Sequence, residues 1–308
     1  MNMQSNAASE SVTDRQTMAQ TIAAPNQPFL WSVRKELWEN RYIYVAPMAA
    51  GAVALFGFLV NLFRLPHEVR AAMGLDPAKL HETIIAPYEI AAALILASTL
   101  VSAVYYCLES LYGERRDRSI LFWKSLPVSD LTTVLSKAAI PYAVLPALGC
   151  VIVFFTQLVM LMLESAVLLG SGQSLAMLWG QVAPWQNMLD LLYHMLTAHV
   201  LWWAPFYAWL MLVSAWSRRA PFLWAVLPAL AVGAVEKITF HTSHFFGWLR
   251  YRFEGSSIPD SGMTSNISML PLPNLFKFLS MPGLWGGLIL SAAFLWLAVE
   301  LRRYRDPI

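Results

Sequence analysis

Residues 42–63 read YIYVAPMAAGAVALFGFLVNLF, twenty-two positions without one charged side chain. A hydrocarbon core about 30 Å thick is crossed by roughly 20 helical residues, and in such a helix every side can be apolar because every side meets lipid or protein. Residues 90–108, 138–163, 191–216, 220–240 and 281–301 form further apolar runs of this kind. The chain is 57% hydrophobic and only 13% charged over 308 residues, more apolar side chain than one soluble core of that size can cover. These runs predict an all-α integral membrane protein, with six transmembrane helices in one domain over residues 42–301.

Orientation follows from where the basic residues fall, because Lys and Arg accumulate in cytoplasmic loops. With the N-terminus inside, the inner segments hold fourteen: Arg15, Arg34, Lys35, Arg41, Arg115, Arg116, Arg118, Lys124, Lys137, Arg218, Arg219, Arg302, Arg303 and Arg305. The outer segments hold the other seven, Arg64, Arg70, Lys79, Lys237, Arg250, Arg252 and Lys277. Both termini are therefore expected in the cytoplasm. A formal net charge of +2 is too small to point to a nucleic-acid partner.

The segments around the spans have their own character. Residues 1–27 are polar, contain Glu10 and Asp14 and have no apolar signal-peptide core. They are expected to form a disordered cytoplasmic segment, with the first apolar run as an uncleaved anchor. Residues 28–41, PFLWSVRKELWENR, put Trp31, Lys35 and Trp38 three to four positions apart, the spacing of an amphipathic helix on the inner membrane surface. Residues 240–253, FHTSHFFGWLRYRF, suit an interfacial helix within the long outer connection 236–280, and residues 302–308 form a short cytoplasmic tail.

Catalytic chemistry is hard to find. A phosphate-binding Walker loop needs Gly-x-x-x-x-Gly-Lys-Ser/Thr, and GSGQS at residues 170–174 lacks the Lys. The chain is thus expected not to be an enzyme by itself. His67-Glu68 and His81-Glu82 are not followed by the second His of a zinc protease helix, and His241 with His244 makes only two ligands, so no metal site is expected. Cys107 and Cys150 lie inside apolar runs and read as buried small hydrophobes. Ionisable residues gather at span ends, including Glu109, Glu164, Asp190, the Glu236–Lys237 pair and Glu300, where they can reach polar headgroups. His194, His199 and Glu236 are the candidates for polar groups along a translocation path.

Residues 114–130, ERRDRSILFWKSLPVSD, are the densest feature outside the spans. The stretch YGERRDR from residue 112 is expected to carry the second helix into water. Ser119 then caps a short helix in which Ile120, Leu121, Phe122, Trp123 and Leu126 form an apolar surface around Lys124, Pro127 ends it, and Ser129 or Asp130 caps the next span. Such a patch can lie in lipid headgroups, pack on the protein's own helix ends, or dock a soluble partner through Phe122 and Trp123.

ERRDRSILFWKSLPVSD, with TTVLSKAAIPYAVLPA from residue 132, resembles the permease subunits of bacterial type-2 ATP-binding-cassette (ABC) exporters, in which a DRSILFWKSLPVS segment joins spans two and three. The order of parts agrees: an inner-surface helix, six spans, a long outer loop between spans five and six, and no ATPase domain. The resemblance implies a multi-pass permease in the bacterial cytoplasmic (inner) membrane. It implies a coupling helix of Arg118, Ser119, Ile120, Leu121, Phe122, Trp123, Lys124 and Leu126 seated on a separate ATP-binding subunit, with Arg34, Lys35 and Trp38 as further contacts. Partners would be that ATPase, a second permease subunit in a homo- or heterodimer, and membrane lipid. ATP and Mg would sit on the ATPase, and this chain would bind no cofactor. An ion-coupled secondary transporter and a membrane scaffold protein are the alternative functions.

Overall fold

The computed structural model describes residues 27–62, 77–125, 128–170, 175–254 and 278–305, and within them the regular structure is helical. In chain order the helices are α1 (Gln27–Glu39), α2 (Tyr42–Leu62), α3 (Pro77–Glu109), α4 (Tyr112–Arg116), α5 (Ser119–Lys124), α6 (Asp130–Ala139) and α7 (Leu145–Gly170). They continue as α8 (Leu175–Val182), α9 (Pro184–His194), α10 (Val200–Trp216), α11 (Pro221–Phe240), α12 (His244–Glu254) and α13 (Pro282–Tyr304). A π-helical turn, Ile140–Val144, joins α6 to α7, and another, Met195–His199, joins α9 to α10. The expected segment 1–27, Leu126 and most of the loop 236–280 lie outside the described residues.

Five helical runs are long and apolar enough to cross a membrane: Tyr42–Leu62, Ile84–Arg116, Asp130–Gly170, Pro221–Phe240 and Pro282–Tyr304. The fourth expected span differs. Residues 191–216 do not form one α-helix; α9 and α10 meet at the π-turn, and α10 alone has 17 residues, about 25 Å of rise. The third span is also longer than residues 138–163, running from Asp130 through its π-turn to Gly170. Pro141 sits in that turn without an N–H to give and with a ring that crowds the preceding turn, a local reason for the wider winding.

The outer surface inverts the pattern of a soluble protein. Phe56, Ile238 and Ile289 are each about 70% exposed, and only 11% of the α11 window is buried inside the chain. In lipid such a surface is solvated by hydrocarbon tails. Where helices touch, small residues let them approach. A Cβ on Gly51 would lie 3.1 Å from Thr156 Oγ1, and one on Gly149 would lie 3.1 Å from Thr99 Oγ1. These two contacts seat α7 against α2 and α3.

Two expectations about local structure are corrected. The stretch 112–118 after α3 is exposed only over residues 116–118: the helix breaks at Ser110 and Leu111, and Ser214 Oγ accepts the amides of Leu111 and Tyr112 at 3.1 and 2.9 Å. Leu111, Glu114 and Arg115 are consequently buried. Glu164, read as a span-end residue reaching headgroups, is 1% exposed inside α7 and accepts a 2.7 Å hydrogen bond from Tyr88. Cys107 and Cys150 are buried and free, as read.

Candidate functional site: an ion cluster under a short exposed helix

Helix α5 is six residues long, SILFWK, and it splits its apolar side chains between two directions. Ile120 is 1% exposed and anchors the helix, whereas Leu121 and Phe122 are 58% and 61% exposed. Trp123 is half-buried, packing edge-on against Phe122 with ring centroids 5.1 Å apart. Arg118, at the N-cap, adopts a left-handed conformation with φ of 58°, and its side chain makes no capping bond. Ser119 does not cap the helix: it lies inside the first turn, and its hydroxyl donates to the Glu114 carbonyl at 3.4 Å. Ser129 does cap α6, accepting the Thr132 amide at 3.1 Å.

What holds α5 is the polar end of the bundle. Lys35 Nζ, from α1, lies 3.3 Å from the centre of the Trp123 ring, a cation–π contact. The same ammonium faces Glu39 at 3.2 Å and Glu114 at 3.9 Å. Lys124 Nζ donates to the Arg303 carbonyl at 3.3 Å, which ties the far end of α5 to α13.

Behind this layer the charges are buried. Lys137 Nζ bonds Glu36 Oε1 at 2.7 Å and pairs with Glu114 Oε1 at 3.2 Å. Tyr106 donates its hydroxyl to the other Glu36 oxygen at 2.8 Å. Arg302 holds Glu114 through Nη1 and Asp130 through Nε, the latter at 3.0 Å. Lys137, Glu36, Glu114 and Arg302 side chains are all 8% exposed or less. Three cations (Lys35, Lys137, Arg302) meet four carboxylates (Glu36, Glu39, Glu114, Asp130), so each cation faces at least one acid. Arg115 and Arg305 add bonds to the carbonyls of Ser217 and Trp216, extending the seam to the end of α10.

The cluster draws on α1, α3, α4, α6 and α13, and all of its members come from one end of the bundle. Both ends of the described chain therefore lie on one side. Removing one partner of a buried ion pair costs about 3–5 kcal/mol, because the other charge stays desolvated. Such a cluster, in which side chains from five helices meet, fixes the relative positions of the elements that contribute to it.

The sequence-derived candidates are distributed unevenly around this site. Ile120, Trp123 and Lys124 hold α5 in place, while Leu121 and Phe122 form its free surface. Lys35 turns towards the cluster; Trp38, three positions on, is 68% exposed, and Arg34 lies 4.9 Å from its ring centre. His199 is far along the bundle, bonded through Nε2 to the Tyr207 hydroxyl at 3.0 Å, and His194 ends α9 five residues earlier. Glu236 is held at the start of α12. Its two oxygens accept from the Thr242 hydroxyl and from the amides of His244 and Phe245 at 2.7–2.8 Å, so it caps α12. The missed residues are Glu36, Tyr106, Glu114, Asp130, Lys137 and Arg302. A charged residue within an apolar run, as at Lys137, was the one sequence signal available for them.

On the opposite side α12 occupies the interfacial stretch expected at 240–253, but Arg252 enters the protein. Its guanidinium stacks 4.4 Å from the Trp202 ring and donates to the Trp202 and Gly283 carbonyls at 3.2 and 2.7 Å. Burial draws the Arg252 pKa below its ordinary range.

The chain matches no family profile, no curated protein and no solved structure.

Proposed function

We propose that this chain is the transmembrane permease subunit of a type-2 ABC exporter of the bacterial inner membrane, moved by a separate ATP-binding subunit that carries ATP and Mg. The observation that carries this reading is the form of α5. Two large apolar side chains, Leu121 and Phe122, project at an end of the bundle rich in charge, on a helix whose other side is fixed by Ile120, Trp123 and Lys124. A turn needed only for connection would not expose them. An apolar anchor with a charged surround is the form of a protein-docking hot spot.

Force applied to α5 would pass through three connections: Trp123 to Lys35 on α1, Lys124 to the Arg303 carbonyl on α13, and the chain itself through α4 to Glu114. Glu114 then meets Lys137 and Arg302, so the first, third and last spans would respond together. A second permease subunit, identical or not, would complete the path between them. The chain itself would contribute mechanical work and no hydrolysis.

The test is purification from detergent with the candidate ATPase co-expressed. A stoichiometric complex whose ATPase activity responds to reconstitution, and which is lost in Phe122→Glu, supports the reading. A Phe122→Glu variant with unchanged ATPase binding and transport overturns it.

Glu164 favours a second reading, an ion-coupled secondary transporter. It is a buried carboxyl inside α7 bonded by Tyr88, and an ionisable group within a span is costly enough to suggest a use. Transport by the purified chain driven by a pH gradient alone, and lost in Glu164→Gln, would favour it over the ABC reading.

A further inference from the structure

We propose that the cavity bordered by the two π-turns is a binding site for a small apolar molecule carrying one hydrogen-bond-accepting oxygen, of the phenol or alcohol class. The cavity measures about 190 Å³ and lies between α3, the Ile140–Val144 turn and the Met195–His199 turn. Pro141 comes from the first turn, Met195 and His199 from the second, and Ala97 and Thr99 from α3. An apolar cavity of about 150 Å³ stays dry and takes up benzene or xenon, so this one has room for a single ring or a short branched chain.

The polar groups on its wall are few, and they have a definite count of hydrogens. Thr99 spends its hydroxyl on the Ile95 carbonyl at 2.8 Å. His199 Nε2 and the Tyr207 hydroxyl are 3.0 Å apart and both side chains line the cavity. A neutral imidazole and a phenol carry two hydrogens between them, and their mutual bond uses one. In either tautomer the other is left over: on Nδ1 if Tyr207 donates, on the Tyr207 oxygen if His199 donates. One ligand oxygen satisfies it, and a ligand without oxygen does not.

Access and shape agree. Ala97 is exposed although it lines the cavity, and it falls midway along the apolar part of α3, so the cavity opens at the depth of the lipid tails. An amphiphile dissolved in the membrane would reach it without crossing water. π-turns are uncommon and recur at functional sites, and here two from different spans border one cavity. The site stands on its own geometry and does not depend on the transporter reading.

The experiment uses the full chain in detergent with 4-bromophenol and bromobenzene as probes. Bromine is located by anomalous diffraction, and affinity is read by calorimetric titration. Both probes are expected in the cavity, with 4-bromophenol binding about tenfold more tightly, the worth of one hydrogen bond. Ala97→Phe, at an exposed position that fills the mouth, is expected to abolish both. His199→Phe/Tyr207→Phe removes both hydrogens of the pair while keeping two rings, and it is expected to erase the preference for the phenol while leaving bromobenzene binding unchanged. Absence of bromine from the wild-type cavity, or an undiminished phenol preference in the double variant, would overturn the proposal.

Discussion

Lys137 Nζ lies 2.7 Å from Glu36 Oε1, and both side chains are 4% exposed or less, although the two residues are 101 positions apart in the chain. This bond joins the helix before the first span to the start of the third. Lys137→Met leaves Glu36 and Glu114 buried with less countercharge, and the expected loss of stability is about 3–5 kcal/mol. Glu36→Gln/Lys137→Met should lose less than the sum of the two single variants, since the uncompensated carboxylate is gone. Thermal unfolding in detergent measures all three, and strict additivity would show that the pair does not couple.

Ile120 and Phe122 are two positions apart on α5 yet differ from 1% to 61% exposure. Phe122→Glu is expected to insert normally and to keep its stability within about 0.5 kcal/mol, as for other surface changes. Ile120→Glu buries a charge and should destabilise the chain by several kcal/mol. If both variants lower the melting temperature equally, α5 does not have the two sides described.

Lys35 sits over the Trp123 ring, and a cation–π contact of this kind is worth roughly 0.5–2 kcal/mol. Lys35→Met should therefore loosen α5 without unfolding the bundle. Hydrogen exchange at α5 is the measure, with faster exchange expected there and unchanged protection in α10.

A methyl group on Gly149 would sit 3.1 Å from Thr99 Oγ1, closer than a relaxed contact. Gly149→Ala is expected to destabilise the α3–α7 contact by about 1–3 kcal/mol. Thr99→Ala in the same chain should recover part of that loss, whereas recovery by a distant Ala substitution would point to a different cause.

Gly287 faces Arg252 so closely that a Cβ would collide with its guanidinium. Gly287→Ala must expel the guanidinium from its bonds to the Trp202 and Gly283 carbonyls. The expected cost is about 1–3 kcal/mol by thermal unfolding. Arg252→Met should make the Gly287→Ala change markedly less harmful, and equal harm in both backgrounds would refute the contact.

The amino-acid sequence by itself determined the class of structure: apolar runs long enough for a bilayer, an amphipathic helix before the first of them, and a short apolar helix in the segment after the second. These depend on neighbours within a few positions, where helical period and turn residues act. The charged end was not legible in this way. Lys137 and Arg302 read as cytoplasmic cations, and only the tertiary structure turned them inward: Glu36 is 101 positions from Lys137, and Asp130 and Glu114 are 172 and 188 positions from Arg302. The same distance hid the role of Ser214, whose hydroxyl takes two amides of a break 102 and 103 positions earlier. Glu236 depends on the fold in the same way: its apolar surroundings made it a candidate polar group of a path, and the fold brought the amides of His244 and Phe245 to its oxygens. Hydrophobic length is additive along the chain and can be read from it. Charge compensation needs partners within about 4 Å, and which partners meet at that range was decided by how the spans pack.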